Sequence, residues 1–307
     1  MKKTCFLLFI AALLFSCKQG GQRQNSKGDD KPVITVTIEP LRYFTEAIAG
    51  DEFTVVSMVP KGSSPETYDP TPQQLVDLAR SKAYFRIGYI GFEQTWTEKL
   101  TDNAPHLQFF DMSKNVELIP DDTHDAHHHG EDGHAHEGHV HVGGVEPHIW
   151  NSPLNAQIIA GNILHALCTI DKANESAYLE RYNALIQRIE HVDSLICQML
   201  SGPEADHAFM IYHPALSYFA RDYNLHQISI EAGGKEPSPA HLKNLITACE
   251  REKVRIIFVQ PEFDRRNADL IARQTGTRVV EINPLAYDWE EEMMKTARSL
   301  ERGIEID

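Results

Sequence analysis

Short β-branched runs alternate with helix-forming stretches along nearly the whole chain, and one long segment of polar–apolar helical periodicity divides the alternation into two blocks. In the first block, residues 33–38, 53–59, 83–87 and 107–110 read as strands. Pro40 opens a helix that Gly50 ends, Thr71-Pro72 starts another that runs to Arg80, and residues 93–100 form a third. Helical spacing then covers 153–170 and, in one long run, about 174–200. The second block has strands at 208–212, 226–230, 254–259 and 278–282. Its helices are expected at 214–223, from Ser238-Pro239 to Glu252, and over 267–276 and 289–300. Alternation of this kind requires parallel strands with helical crossovers, so the expected class is α/β, with two lobes of mostly parallel sheet. A helix of some twenty-five residues spans roughly 40 Å and can brace both.

The N-terminus reads as an export signal. Lys2 and Lys3 precede an apolar run, 6–15, too short to cross a bilayer as a stable helix. It ends in Leu14-Phe15-Ser16-Cys17, which resembles a bacterial lipobox, with cleavage before Cys17 and lipid on that residue. Residues 1–16 are therefore the expected signal peptide and 17–31 a flexible, lipid-anchored tether. The body is divided into a first lobe over 32–170, a linking helix over 171–200 and a second lobe over 201–307. Net charge is −15, and −17 once Lys2 and Lys3 are lost (27 basic against 44 acidic residues). That balance disfavours nucleic acid and favours cations. Cys168, Cys197 and Cys249 remain in the body; their odd number excludes a complete internal disulfide framework, and they are expected mainly as small buried hydrophobes.

Within the first lobe, residues 121–145 contain half of the chain's sixteen histidines: His124, His127, His128, His129, His134, His136, His139 and His141. Acidic residues and glycines separate them, with little apolar content to bury, so the segment is expected to be a solvated loop. Neutral imidazole is the commonest protein ligand for zinc and its neighbours, and many imidazoles on one tether make weak, exchangeable sites. The loop therefore points to transition-metal handling.

Several motifs then occur in a telling order: Ser64-Pro65-Glu66-Thr67-Tyr68-Asp69-Pro70, Glu146-Pro147-His148-Ile149-Trp150, Tyr212-His213-Pro214-Ala215, Lys235-Glu236-Pro237-Ser238-Pro239, Gln260-Pro261-Glu262-Phe263 and Ile282-Asn283-Pro284-Leu285. The series resembles the zinc and manganese (cluster A-I) solute-binding proteins of ABC transporters, most closely the zinc-uptake branch with its His-rich loop. The resemblance implies two Rossmann-like lobes, a rigid linking helix and one metal ion in the interlobe cleft. It also implies capture of Zn2+, with Mn2+ or Fe2+ as other candidates, by a periplasm-facing, lipid-anchored monomer that delivers the ion to a membrane permease and its ATPase. No catalysis is expected.

The same resemblance nominates metal ligands Glu66, His148, His213 and Asn283. Two of these depart from the family pattern, which usually has His at the position of Glu66 and Asp at that of Asn283. Carboxylate can replace imidazole on zinc at a similar bond length, about 2.0–2.2 Å. One formal negative charge is thereby kept and moves to the first lobe. The family's usual Glu-Pro-Gln also reads Gln260-Pro261-Glu262 here, so the fourth position stays open between Asn283, Glu262, Gln260 and water. Two other functions are compatible with the residues: a periplasmic zinc buffer or adhesin without a permease, and a zinc hydrolase using Glu66, His148 and His213 around a bound water. His106, His165, His191, His207, His226 and His241 lie in no motif and are expected to be structural or surface residues.

Overall fold

The computed structural model describes residues 31–120, 144–202 and 205–301. Two four-stranded parallel sheets organise them. The first contains β1 (Val33–Val36), β2 (Thr54–Ser57), β3 (Ala83–Arg86) and β4 (Gln108–Asp111) in the order β2-β1-β3-β4. The second contains β5 (Ala208–Ile211), β6 (His226–Ser229), β7 (Ile256–Val259) and β8 (Arg278–Glu281) in the matching order β6-β5-β7-β8. In each, the strand order reverses beside the first strand, between β1 and β3 or between β5 and β7. Such a switch point opens a crevice at the carboxyl ends of the strands.

The helices are α1 (Glu39–Ala49), α2 (Pro72–Ala79), α3 (Gly91–Asn103), α4 (Pro153–Ile170), α5 (Glu175–Leu200), α6 (Ser217–Asp222), α7 (Pro239–Arg251), α8 (Arg266–Thr275) and α9 (Trp289–Leu300). Their starts follow local chemistry. Thr71 and Gln74 form a reciprocal capping box at α2, and Ser152 and Ser238 cap α4 and α7 ahead of proline. Gly50 ends α1 at a φ of 62°, a conformation that side-chain-bearing residues avoid.

Strands are assigned shorter than their β-branched runs, although single backbone bonds continue past the assigned ends: Thr37 N–H donates to the Phe85 carbonyl at 3.2 Å and Val59 N–H to the Thr37 carbonyl at 3.0 Å. β1 stops at Val36, for example, and the hydroxyl of Thr37 meets Tyr84 and donates to Glu93. Burial pushes the Glu93 carboxyl up to about 7, against the pull of the Thr37, Ile87 and Gly88 donors. That carboxyl accepts the Ile87 and Gly88 N–H groups and so ties the β3–α3 turn.

The second sheet is buried on both faces. Phe209 and Ile211 of β5 and Phe258 of β7 join the main core, while Met210, Ile257 and Val259 face a smaller one under α7 and α8, as period-two alternation requires. The main core runs without a break from Ile34 and Val36 of β1 to Phe209 and Phe258. Helix α5, about 39 Å long at 1.5 Å per residue, lays Tyr178, Leu185, Ile189, Val192, Ile196 and Leu200 along its buried stripe. Helices α1, α4 and α9 pack on it.

Two buried tryptophans lock the lobes together. Trp150 Nε1 donates to the Pro284 carbonyl and Trp289 Nε1 to the Trp150 carbonyl, each at 2.7 Å. Asn151 donates to the Ala215 carbonyl at 2.9 Å. A shared core with cross-lobe hydrogen bonds at its centre resists the wide hinge opening that a thin linker would permit.

Three successive glutamates, Glu290 to Glu292, open α9; Glu292 is buried and accepts the Asn283 N–H at 2.6 Å, and Glu290 meets Tyr43. The expectation for the cysteines needs correcting. Of the three body cysteines, all free, Cys249 is buried, Cys168 is half-buried and Cys197 is exposed.

Candidate metal centre

His213 lies two residues past β5, beside the switch point of the second sheet. Gln260, just past β7, brackets its peptide: Gln260 Oε1 accepts the His213 N–H at 3.2 Å and Gln260 Nε2 donates to the His213 carbonyl at 2.6 Å. The imidazole stacks on Phe263, with centroids 5.2 Å apart. Its Nδ1 faces Glu231 Oε1 at 2.9 Å, a buried carboxylate two residues past β6. Three strand ends therefore fix one histidine.

His148 comes from the segment that enters α4. Glu146 Oε1 accepts its backbone N–H at 2.9 Å, and the same oxygen contacts its Nδ1. Ser217 Oγ donates to the other Glu146 oxygen at 3.0 Å, and the Tyr218 hydroxyl donates to the Glu146 carbonyl at 2.8 Å. The ring packs against Trp150. His148 and its carboxylate are thus held from both lobes.

With each Nδ1 occupied by a buried carboxylate, the two Nε2 atoms face one another at 3.2 Å. Two ligands on a tetrahedral zinc at about 2.0–2.1 Å stand about 3.3 Å apart. The spacing is that of one ligand edge. Carboxylates that orient imidazoles through Nδ1 also make Nε2 a better donor.

Glu66 lines the same small cavity as His148 and His213, with Gln260, Glu262 and Phe263, and its volume is about 20 Å³. That is room for one ion or one water. The loop bearing Glu66 is pinned by Gln74, whose side chain takes the Tyr68 hydroxyl at 2.6 Å and donates to the Met58 carbonyl at 2.9 Å. Gly91 N–H donates to Glu66 Oε2 at 3.2 Å. A larger cleft of about 780 Å³ adjoins, walled by Phe92, Trp96 and Phe263 and bearing Glu66, Glu146 and Glu231. Among the described residues no three His, Cys, Asp or Glu already form a finished ligand array; the imidazole pair is set and the carboxylates stand around it.

Asn283 is not brought to this cavity. Its side-chain oxygen accepts the Leu285 N–H at 3.1 Å, its N–H donates to Glu292, and it lines a neighbouring cavity with Ile38, Tyr287 and Glu262. Asn283 thus lines the neighbouring cavity and not the one that Glu66, His148 and His213 share. The eight loop histidines and Cys17 lie outside the described residues. His106, His165, His191, His207 and His226 are exposed, and His241 is half-buried near the start of α7.

Burial pushes the His213 imidazole down, but the hydrogen bond and charge of Glu231, with the charges of Glu66 and Glu146, outweigh it and hold its pKa above the ordinary value.

Residues 34–303 match the family described as the periplasmic zinc-uptake complex component A, ZnuA. The chain belongs to the ZnuA family. It is 29% identical over 295 residues to the high-affinity zinc uptake system protein ZnuA of Bacillus subtilis, covering 95% of this chain and 89% of that protein. The zinc-binding lipoprotein AdcA of Streptococcus pneumoniae is 26% identical over 302 residues; the match covers 95% of this chain but spans only 57% of AdcA. A ZnuA crystal structure superposes with a TM-score of 0.77 at 33% identity, covering 88% of this chain and 98% of that one.

Against the ZnuA-family motifs, four supporting residues had escaped the sequence reading. Nothing in the sequence signalled the part Glu146 plays beside His148, and the side chain of Gln260, one of the candidates for the fourth position, clamps the His213 peptide. Glu231 had a usable signal, since it follows β6 at the offset at which His213 follows β5. Gly91 is constrained by contact: a Cβ there would lie 2.4 Å from the Glu66 carbonyl oxygen. Gly91→Ala is accordingly expected to displace the Glu66 loop and to lower Zn2+ affinity about 10- to 100-fold, the range for residues that support a ligand. Competition against a chromophoric chelator measures this; unchanged affinity would show that the Glu66 loop has no part in binding.

Proposed function

We propose that this chain captures Zn2+ outside the cytoplasm and hands it to the permease of an ABC importer. The observation that carries the reading is the facing pair of Nε2 atoms, 3.2 Å apart, each imidazole fixed by its own buried carboxylate. Glu66, His148 and His213 are assigned as ligands. The ion is read as cargo, held in a space of about 20 Å³ among the donors, with no reaction carried out on it. Membership of the ZnuA family and the names of the relatives support transport over storage or hydrolysis. The body acts as a monomer, anchored by lipid on Cys17; no helix among the described residues is long and apolar enough to cross a membrane.

The loop histidines are assigned an accessory role. The backbones of Pro120 and Val145 pair in an antiparallel bridge, so residues 121–143 can be replaced by a short Gly-Ser turn. Competitive titration of the intact and shortened proteins is expected to show one tight Zn2+ in both, with only weaker equivalents lost from the shortened form. Loss of the tight equivalent would place the transport site in the loop and end this reading.

A further inference from the structure

The chain between β7 and α8 contains one feature that the three assigned ligands leave unused. Gln260 clamps the peptide of His213, Phe263 stacks on its ring, and the Phe263 N–H donates to the Gln260 carbonyl at 3.2 Å. Residues 260–263 therefore form a turn fastened to His213 at both ends. Glu262 is the third residue of that turn, and it lines the small cavity with Glu66, His148 and His213.

Its carboxylate is half-buried and, among the described residues, makes no hydrogen bond or ion pair with another residue. Removing a carboxylate from water without a partner is costly, and a site retains one when a cation supplies the partner. Burial raises its pKa and the nearby His213 lowers it, which agrees with a carboxylate kept close to that imidazole. Asn283, which the family resemblance nominated for this role, faces another cavity and has its oxygen on Leu285.

We propose that Glu262 is the fourth ligand to the transported ion, so that the donor set is two imidazoles and two carboxylates, one of each from either lobe. The inference rests on the assignment of Glu66, His148 and His213 above. Two carboxylates neutralise a divalent cation, and their oxygens make the set harder than one rich in imidazole. Such a set admits Mn2+ beside Zn2+, because oxygen donors suit the harder ion while imidazole serves both.

The test compares wild type, Glu262→Gln, Asn283→Ala and His148→Ala, each checked for native near-ultraviolet dichroism. Dissociation constants for Zn2+ and Mn2+ come from chelator competition, and visible absorption of the Co2+-loaded forms reports the ligand set. Glu262→Gln is expected to weaken Mn2+ about 100-fold and Zn2+ about 10-fold, within the range known for altered metal surroundings, and to shift the Co2+ bands. Asn283→Ala is expected to change neither constant by more than about 3-fold, a small effect for a side chain outside the coordination sphere. Wild-type affinities and Co2+ spectrum in Glu262→Gln, with binding abolished in His148→Ala, would overturn the proposal and leave the three-ligand site standing. Wild-type affinities in His148→Ala would overturn both.

Discussion

Zn2+ affinity falls by about two to three orders of magnitude when His213 is replaced by Ala, since zinc bound by four protein donors gains roughly 10–16 kcal/mol and each donor carries a quarter of it. His148→Ala is expected to act alike, because the two Nε2 atoms share one ligand edge. The more discriminating variant is Glu231→Gln. It leaves both imidazoles in place but removes the carboxylate that fixes the Nδ1 proton of His213 and the orientation of its ring. A loss of about 10- to 100-fold is expected for it, as for other carboxylates that support a metal-bound histidine. A double-mutant cycle separates this from a general loosening of the fold. Glu231→Gln should cost little more once His213 is already Ala, because the carboxylate acts through that ring. If the two losses simply add, Glu231 supports something other than His213. If both alanine variants still hold one tight Zn2+, the ion binds elsewhere.

The parts of this protein that could be read from its sequence were those set by local chemistry. Helices α4 and α9 appear at the positions their periodicity indicates, 153–170 and 289–300. Parallel strands buried on both faces announce themselves as apolar runs, which is why two α/β lobes were legible. Strand ends were not, because a β-branched run does not show where its hydrogen-bonding partner stops. His148 and His213 were legible because each stands in a short specific motif, and the second directly follows a strand. Glu231 carried only the weaker signal of its offset after an edge strand, and nothing in that position names His213 as its partner until the fold brings the two together. The setting of Asn283 was not legible for a related reason. A short amide side chain after a strand readily turns back onto the backbone two residues on, and here it does so onto Leu285. Glu292 shows the same blindness in reverse: one of three successive glutamates is drawn into the interior to accept a peptide N–H, and the pattern of charge along a helix cannot single it out.

Metal affinity and acid stability should move in opposite directions at His213. Without metal, the raised pKa means that the imidazolium is favoured in the folded state over the unfolded one. Its contribution to stability is complete below the unfolded value, about 6.5, and is lost as pH rises through the higher folded value. Metal requires the neutral ring, so binding must expel that proton. Zn2+ affinity is therefore expected to climb with pH up to the folded pKa of His213, by about tenfold per pH unit for each proton displaced, and to level off above it. Ligand-linked stabilisation follows the affinity, since a bound ion adds RT ln(1 + [L]/Kd). The gap in Tm between loaded and metal-free protein should consequently narrow as pH falls from 8 to 5, from a falling curve for the loaded form and, for this group, a rising one for the metal-free form. Calorimetric titration in buffers of different ionisation enthalpy counts the protons directly; from His213 about one per Zn2+ is expected well below its pKa, falling to about one half at it. Heats that do not depend on the buffer across that range would mean that no proton is held on His213. The carboxylates around His213 would then be acting only to orient it.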